Sequence, residues 1–113
     1  MNKFAVTGSN GMTGSHMVSL LKSKKFPVKA VTRKEWDLTE WKSFEELDHI
    51  FGSVLAVFHF GAQLPYSKLF KNDESQTQQI FDANIRSCLN LAGWAKLRNI
   101  PIVFLSSAVV YNC

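Results

Sequence analysis

The stretch Phe4-Ala5-Val6-Thr7-Gly8-Ser9-Asn10-Gly11-Met12-Thr13-Gly14 decides the fold. A short apolar run enters glycines spaced G-x-x-G-x-x-G, and a helical pattern follows at Gly14, Met17, Val18 and Leu21. Strand, glycine turn and helix start, in that order, are what a phosphate-bearing cofactor needs from a backbone. Glycine permits the tight turn and lets a pyrophosphate approach without meeting a Cβ. The free N–H groups of the first helical turn then face its negative charge. In this pattern Gly8 allows the turn, Gly11 the close approach and Gly14 the packing of the helix near the sheet, while the Asn10 side chain is placed to hold the turn.

Working outward, four runs read as strands: Lys3–Val6, Val28–Thr32, Val54–Phe60 and Ile102–Ser106. They are apolar almost without interruption, the mark of strands covered on both faces. Helical patterns separate them. Phe26-Pro27 stops the first. Trp41, Phe44, Leu47 and Ile50 suggest a short second helix closed by Gly52. A long third pattern spans Ser75–Leu97, with Phe81, Ile85, Cys88, Leu89, Ala92 and Ala95 as its apolar stripe, ended by Asn99 and Pro101. A short extra strand is expected near Trp36, and Leu64–Glu74 reads as a surface loop. The alternation predicts an α/β fold: an open, doubly wound, mainly parallel sheet of four to five strands, with helices on both faces and right-handed crossovers. A ligand of such a sheet lies beyond the carboxyl ends of its strands. Those ends are Thr7-Gly8, Thr32-Arg33, His59-Phe60-Gly61-Ala62 and Ser106-Ser107.

Composition bounds the alternatives. The 113 residues suit one domain, and 46% hydrophobic with 19% charged residues is ordinary for a globular chain. No apolar run reaches the ~20 residues of a membrane helix, and no leader is read at the N-terminus. Cys88 and Cys113 lack metal-ligand spacing, so free thiols in a reducing cytoplasm are expected, with no metal. The net charge of +4 is dispersed; its densest cluster, Lys22, Lys24 and Lys25, suits a helix C-terminus better than a nucleic acid.

Arg33 follows the second strand, where an acidic residue would bond a ribose 2′-hydroxyl. A guanidinium suits a 2′-phosphate instead, favouring NADP over NAD. A solvated loop charge is the plainer reading of Arg33, and Glu35 stands close enough to reach a ribose. Asp37 and Leu38 suit an adenine contact; the alternative is a helix N-cap at Asp37 or Thr39, with Thr39-Glu40 in the first turn. His59 reads as a satisfied structural histidine rather than a catalyst. Ser106-Ser107 offer hydroxyls to a substrate oxygen, but no G-x-S-x-G elbow accompanies them.

Five stretches in this order resemble the extended short-chain dehydrogenase/reductase family of NAD(P)-dependent nucleotide-sugar epimerases, dehydratases and reductases. They are Thr7-Gly8-x-x-Gly11-x-x-Gly14, Asp37-Leu38-Thr39, Val57–Gln63, Asn84-Ile85 and Phe104–Tyr111. The region Thr32–Thr39 looks most like the sugar reductases of that family. The resemblance implies a Rossmann-like fold and a set of roles. Gly8, Gly11, Met12 and Thr13 would hold the pyrophosphate. Asp37 and Leu38 would contact adenine. Phe60, Gly61 and Ala62 would line the cofactor, and Asn84 would steady the long helix beside the site. Ser106 would approach the nicotinamide, and Ser107 would be the catalytic serine. The family's Y-x-x-x-K acid/base pair has no counterpart here, since neither Tyr66 nor Tyr111 has Lys four residues on. The chain is therefore expected to be the cofactor-binding N-terminal portion of a longer enzyme. On that reading the substrate domain is absent, the isolated chain is inactive, and an exposed edge strand invites self-association or a homodimer. A non-catalytic NADP-binding regulatory or redox-sensing module is the alternative.

Overall fold

A computed structural model describes residues 3–61, 78 and 82–104. Four strands form one parallel sheet: β1 (Lys3–Thr7), β2 (Val28–Val31), β3 (Val54–His59) and β4 (Ile102–Phe104), in the order β2-β1-β3-β4. Phe4 to Thr7 run beside Val28 to Val31 on one side and beside Ala56 to His59 on the other. Val57 to His59 run beside Ile102 to Phe104. Helix α1 (Met12–Ser23) joins β1 to β2, α2 (Phe44–Phe51) joins β2 to β3, and α3 (Ser87–Arg98) precedes β4.

The predicted two-sided burial is visible in β1. Successive residues of a strand point to opposite faces, and both Ala5 and Val6 are fully buried. One face carries the core cluster of Ala5, Val31, Trp36, Leu47, Phe51, Val57, Leu91, Trp94 and Ala95. Phe51 stands between Trp36, edge-on at 6.2 Å, and Trp94 at 5.1 Å. On the other face Phe4 meets Phe26 edge-on and Phe58 at a tilt.

Three sequence expectations change. No strand forms near Trp36. The backbone N–H groups of Glu35 and Trp36 turn back to Thr32 O, while the buried indole fills the core and donates to Glu40 O at 3.0 Å. Burial of one large side chain thus overrides a strand-like local composition. The second helix starts at Phe44 rather than near Trp41, which is exposed.

The buried face of the last helix is also different. It presents Ser87, Asn90, Leu91, Trp94 and Ala95, while Ile85 and Leu89 are exposed. Two causes combine. A π-helical turn, Asp82–Arg86, precedes α3, and its i→i+5 spacing shifts the phase of a single 3.6-residue period. Buried polar residues also carry part of the face. Asn90 accepts from Lys42 N at 2.8 Å and donates to Lys42 O at 2.9 Å. Beside it, Trp94 Nε1 and Arg98 both donate to Asp48.

Candidate dinucleotide site

The strand order places the site. From β1 the chain moves outward to β2, then returns past β1 to β3. The carboxyl ends of β1 and β3 therefore flank the topological switch point, where a ligand crevice opens. The glycine turn and the segment after β3 meet there. Gly8 has φ +63°, and a Cβ on it would stand 2.7 Å from Gly61 N and 2.8 Å from Phe60 C. A Cβ on Gly14 would stand 2.0 Å from Gly8 O, so α1 rests directly on the turn. Both glycines are required by the protein's own backbone.

Gly11 is different. Its φ of −80° and ψ of 170° suit any residue. A Cβ there would meet Gly8 O at 3.3 Å, a tight contact that asks the turn to give by a few tenths of an ångström, far less than at Gly8 or Gly14. Gly11 is the N-cap of α1, is exposed, and supplies no side-chain acceptor; the first turn holds no acidic residue. The unpaired N–H groups of a helix start carry partial positive charge. Here they open toward solvent beside Met12, which is 81% exposed, and Thr13.

The turn is held by Gly11 N donating to Gly8 O at 2.9 Å. Buried Ser9 ties it to β2, with Ser9 N and Oγ both donating to Val31 O. Among the described residues the exposed Asn10 side chain has no hydrogen-bond partner, so the expectation that it holds the turn is corrected in favour of Ser9. A polar residue inside a glycine turn, one step past a strand end, was the available signal for Ser9.

After β2, Glu35 folds back and accepts from Thr32 N and Oγ1, which lowers its pKa. It is turned toward the strand end. Arg33 remains outward, its side chain 72% exposed, with Nε 3.5 Å from Asp37 Oδ2. Asp37 Oδ1 accepts from Thr39 N at 3.0 Å and Oγ1 at 2.8 Å, which closes a local turn; the expected helix N-cap is corrected, since the next helix starts at Phe44 and is capped by Ser43. Desolvation raises the Asp37 pKa; the bonds from Thr39 and the Arg33 charge outweigh it and leave the pKa lowered. Leu38 lies against Gly61, its Cδ1 2.7 Å from the position of a Cβ there. The structure thus brings Gly8, Asn10, Gly11, Met12, Thr13, Leu38, Phe60 and Gly61 to the switch point, with Arg33 and Asp37 at the neighbouring strand end. Asn84 is half-buried in the π-helical turn, three residues before Ser87. Ala62, Ser106 and Ser107 lie outside the described residues.

Among the described residues no group of three or more His, Cys, Asp or Glu is placed to hold a metal ion. No helix among them is long and apolar enough to cross a membrane. Cys88 is a half-buried free thiol whose pKa burial raises.

Comparison with known proteins agrees with this geometry. Residues 4–112 match the NAD dependent epimerase/dehydratase family. A short-chain dehydrogenase/reductase superfamily protein from Agrobacterium tumefaciens, solved with bound NAD, superposes with a TM-score of 0.77 at 22% identity, covering 98% of this chain and 34% of that one. The dTDP-4-dehydrorhamnose reductase from Yersinia enterocolitica gives 0.72 at 21% identity, over 95% and 36% of the two chains. A GDP-L-fucose synthetase from Naegleria fowleri bound to NADP gives 0.69 at 18% identity, over 91% and 33%. The chain spans about a third of the length of these proteins, and at such identities they show a shared fold. No curated protein matches significantly.

Proposed function

The chain belongs to the NAD dependent epimerase/dehydratase family, and on that premise we propose that it is the dinucleotide-binding N-terminal portion of an enzyme that modifies nucleotide-linked sugars. The observation that carries this reading is the uncapped start of α1 at the switch point, with a glycine at its N-cap whose backbone conformation does not demand glycine. A pyrophosphate supplies the missing acceptors. The cradle left open by Gly11 fits it, Met12 and Thr13 contribute N–H groups, and Leu38 with Gly61 forms an apolar wall for an adenosine. A bound nicotinamide supplies a hydride donor or acceptor. The chain's contribution is to hold and orient it; the family resemblance assigns Ser106 to the nicotinamide and Ser107 to the reacting sugar oxygen. The tyrosine and lysine that complete such chemistry are not supplied by this segment.

NADP is the preferred form. Glu35 is occupied by Thr32, and the Arg33 guanidinium, 72% exposed although its Nε lies 3.5 Å from Asp37, is an outward-facing cation at the end of β2; a guanidinium pairs well with a phosphate. Calorimetric titration is expected to show NADPH binding about tenfold more tightly than NADH, the weight of one charge-assisted contact. Arg33→Ala should close that gap. Equal affinities in the unaltered chain overturn the preference, and absence of binding by either dinucleotide overturns the function.

A further inference from the structure

Behind the crevice lies a buried polar chain that the reading above leaves unused: Thr7, His59 and Ser87, all less than 4% exposed. Thr7 Oγ1 accepts from Phe60 N at 3.0 Å and Gly61 N at 3.1 Å, and lies 2.8 Å from His59 Nδ1. A hydroxyl offers two lone pairs and one proton. With both lone pairs taken by backbone N–H groups, its proton goes to Nδ1. Nδ1 is therefore the bare nitrogen, and Nε2 carries the ring proton and donates to Ser87 Oγ at 3.3 Å.

The ring is enclosed from every side described. Trp36 stacks on it at 6.0 Å, and Phe104 of β4 meets it edge-on at 5.7 Å. Among the described residues no charged group bears on it, and burial lowers its pKa from 6.5 to about 4. Phe60 and Gly61 lie just past the last paired residue of β3, so the Thr7 hydroxyl is the acceptor their N–H groups find. Gly61 is also the wall on which Gly8 rests.

We propose that His59, as the neutral Nε2–H tautomer, is a positioning residue for the dinucleotide crevice, acting through the Thr7 hydroxyl to fix the Phe60–Gly61 backbone against the glycine turn. The inference rests on the dinucleotide reading. Protonating Nδ1 removes the acceptor for the Thr7 proton. The hydroxyl must then turn, one backbone N–H loses its partner, and the wall loosens.

The test uses nitrogen NMR of the histidine rings and calorimetry with NAD⁺, which is stable in acid. His59 should show a pyridine-like Nδ1 and a pyrrole-like Nε2 at neutral pH. Thr7→Ser, which keeps the hydroxyl, should bind NAD⁺ within about twofold of the unaltered chain, and Thr7→Val about tenfold more weakly. His59→Asn places an amide oxygen where Nδ1 stood. It should retain affinity and abolish the loss of binding that the unaltered chain shows as pH falls through about 4. If Thr7→Val does not fold, the NMR tautomer and the His59→Asn pH profile decide. A protonated Nδ1 at neutral pH, Thr7→Val binding like the unaltered chain, or an acid profile unmoved by His59→Asn overturns the positioning role alone. Failure of the unaltered chain to bind NAD⁺ overturns the dinucleotide reading and this role together.

Discussion

The starts of α1 and α2 solve the same problem in opposite ways. Each leaves backbone N–H groups without helical partners. At α2 the chain satisfies them itself. Ser43 Oγ accepts from Glu46 N at 3.1 Å, Glu46 Oε1 accepts from Ser43 N at 3.2 Å, and Glu45 and Glu46 place acid in the first turn. At α1 there is a glycine, no acid and no side-chain cap. The longer helix, buried against the glycine turn at Gly14, has the less satisfied start. A helix that needed only to be stable would have the arrangement of α2. The difference separates an end built for the fold from an end built for something the fold receives.

Three substitutions break or sharpen this contrast. The largest effect is expected at the base of α1. Gly14→Ala forces a Cβ to 2.0 Å from Gly8 O, a backbone atom that cannot step aside. Stability measured by urea unfolding should fall by about 3 kcal/mol or more, with the crevice lost alongside. Next, Gly11→Ser gives α1 a cap of the α2 kind. The cap gain of a few tenths of a kcal/mol offsets the tight contact of the new Cβ with Gly8 O, so stability should stay within about 0.5 kcal/mol, yet dinucleotide binding should weaken about tenfold, because the hydroxyl competes for the N–H groups a phosphate needs. Unchanged affinity would detach the helix start from the ligand.

The smallest effect is at α2. Ser43→Ala should cost about 1 kcal/mol with no change in affinity. That cost should shrink in acid. Glu46 has a lowered folded pKa chiefly because the Ser43 backbone N–H donates to it and further because of the Ser43 hydroxyl, and only the second part is lost in Ser43→Ala. Its contribution is therefore complete above the ordinary glutamate pKa of 4.5 and is lost as pH falls through the lowered folded value. Urea titrations of both chains between neutral pH and acid check this; a gap constant with pH would show that the Glu46 carboxylate is not coupled to the Ser43 hydroxyl.

What the sequence disclosed follows from range. The β1–turn–α1 unit was legible because its determinants are local: glycine conformation, apolar runs and a helix start within a dozen residues. The parallel sheet was legible because doubly covered strands have no polar alternation. The Ser43-x-x-Glu46 box was equally local, and the helix pattern beginning at Trp41 concealed it. The face of α3 was not legible. Its burial depends on Asn90 and Ser87 finding partners at Lys42 and His59, and on a π-helical turn that no apolar period records. The support of the site was hidden for the same reason, since Thr7 and His59 meet across 52 residues of sequence. His59 is buried with a hydrogen-bond partner at each ring nitrogen, as the satisfied structural histidine of the sequence would be, and those partners are visible only in the fold.

The Asn90 side chain brackets Lys42 across 48 residues, giving one loop residue both a donor and an acceptor. That contact closes a long loop, so its entropy is recovered only after α2, β3 and α3 have found one another. The Lys42 amide is thus a late reporter: it gains protection from hydrogen exchange at the moment the two halves of the sheet's helical cover dock, while the amides within α2 record only the earlier, local event.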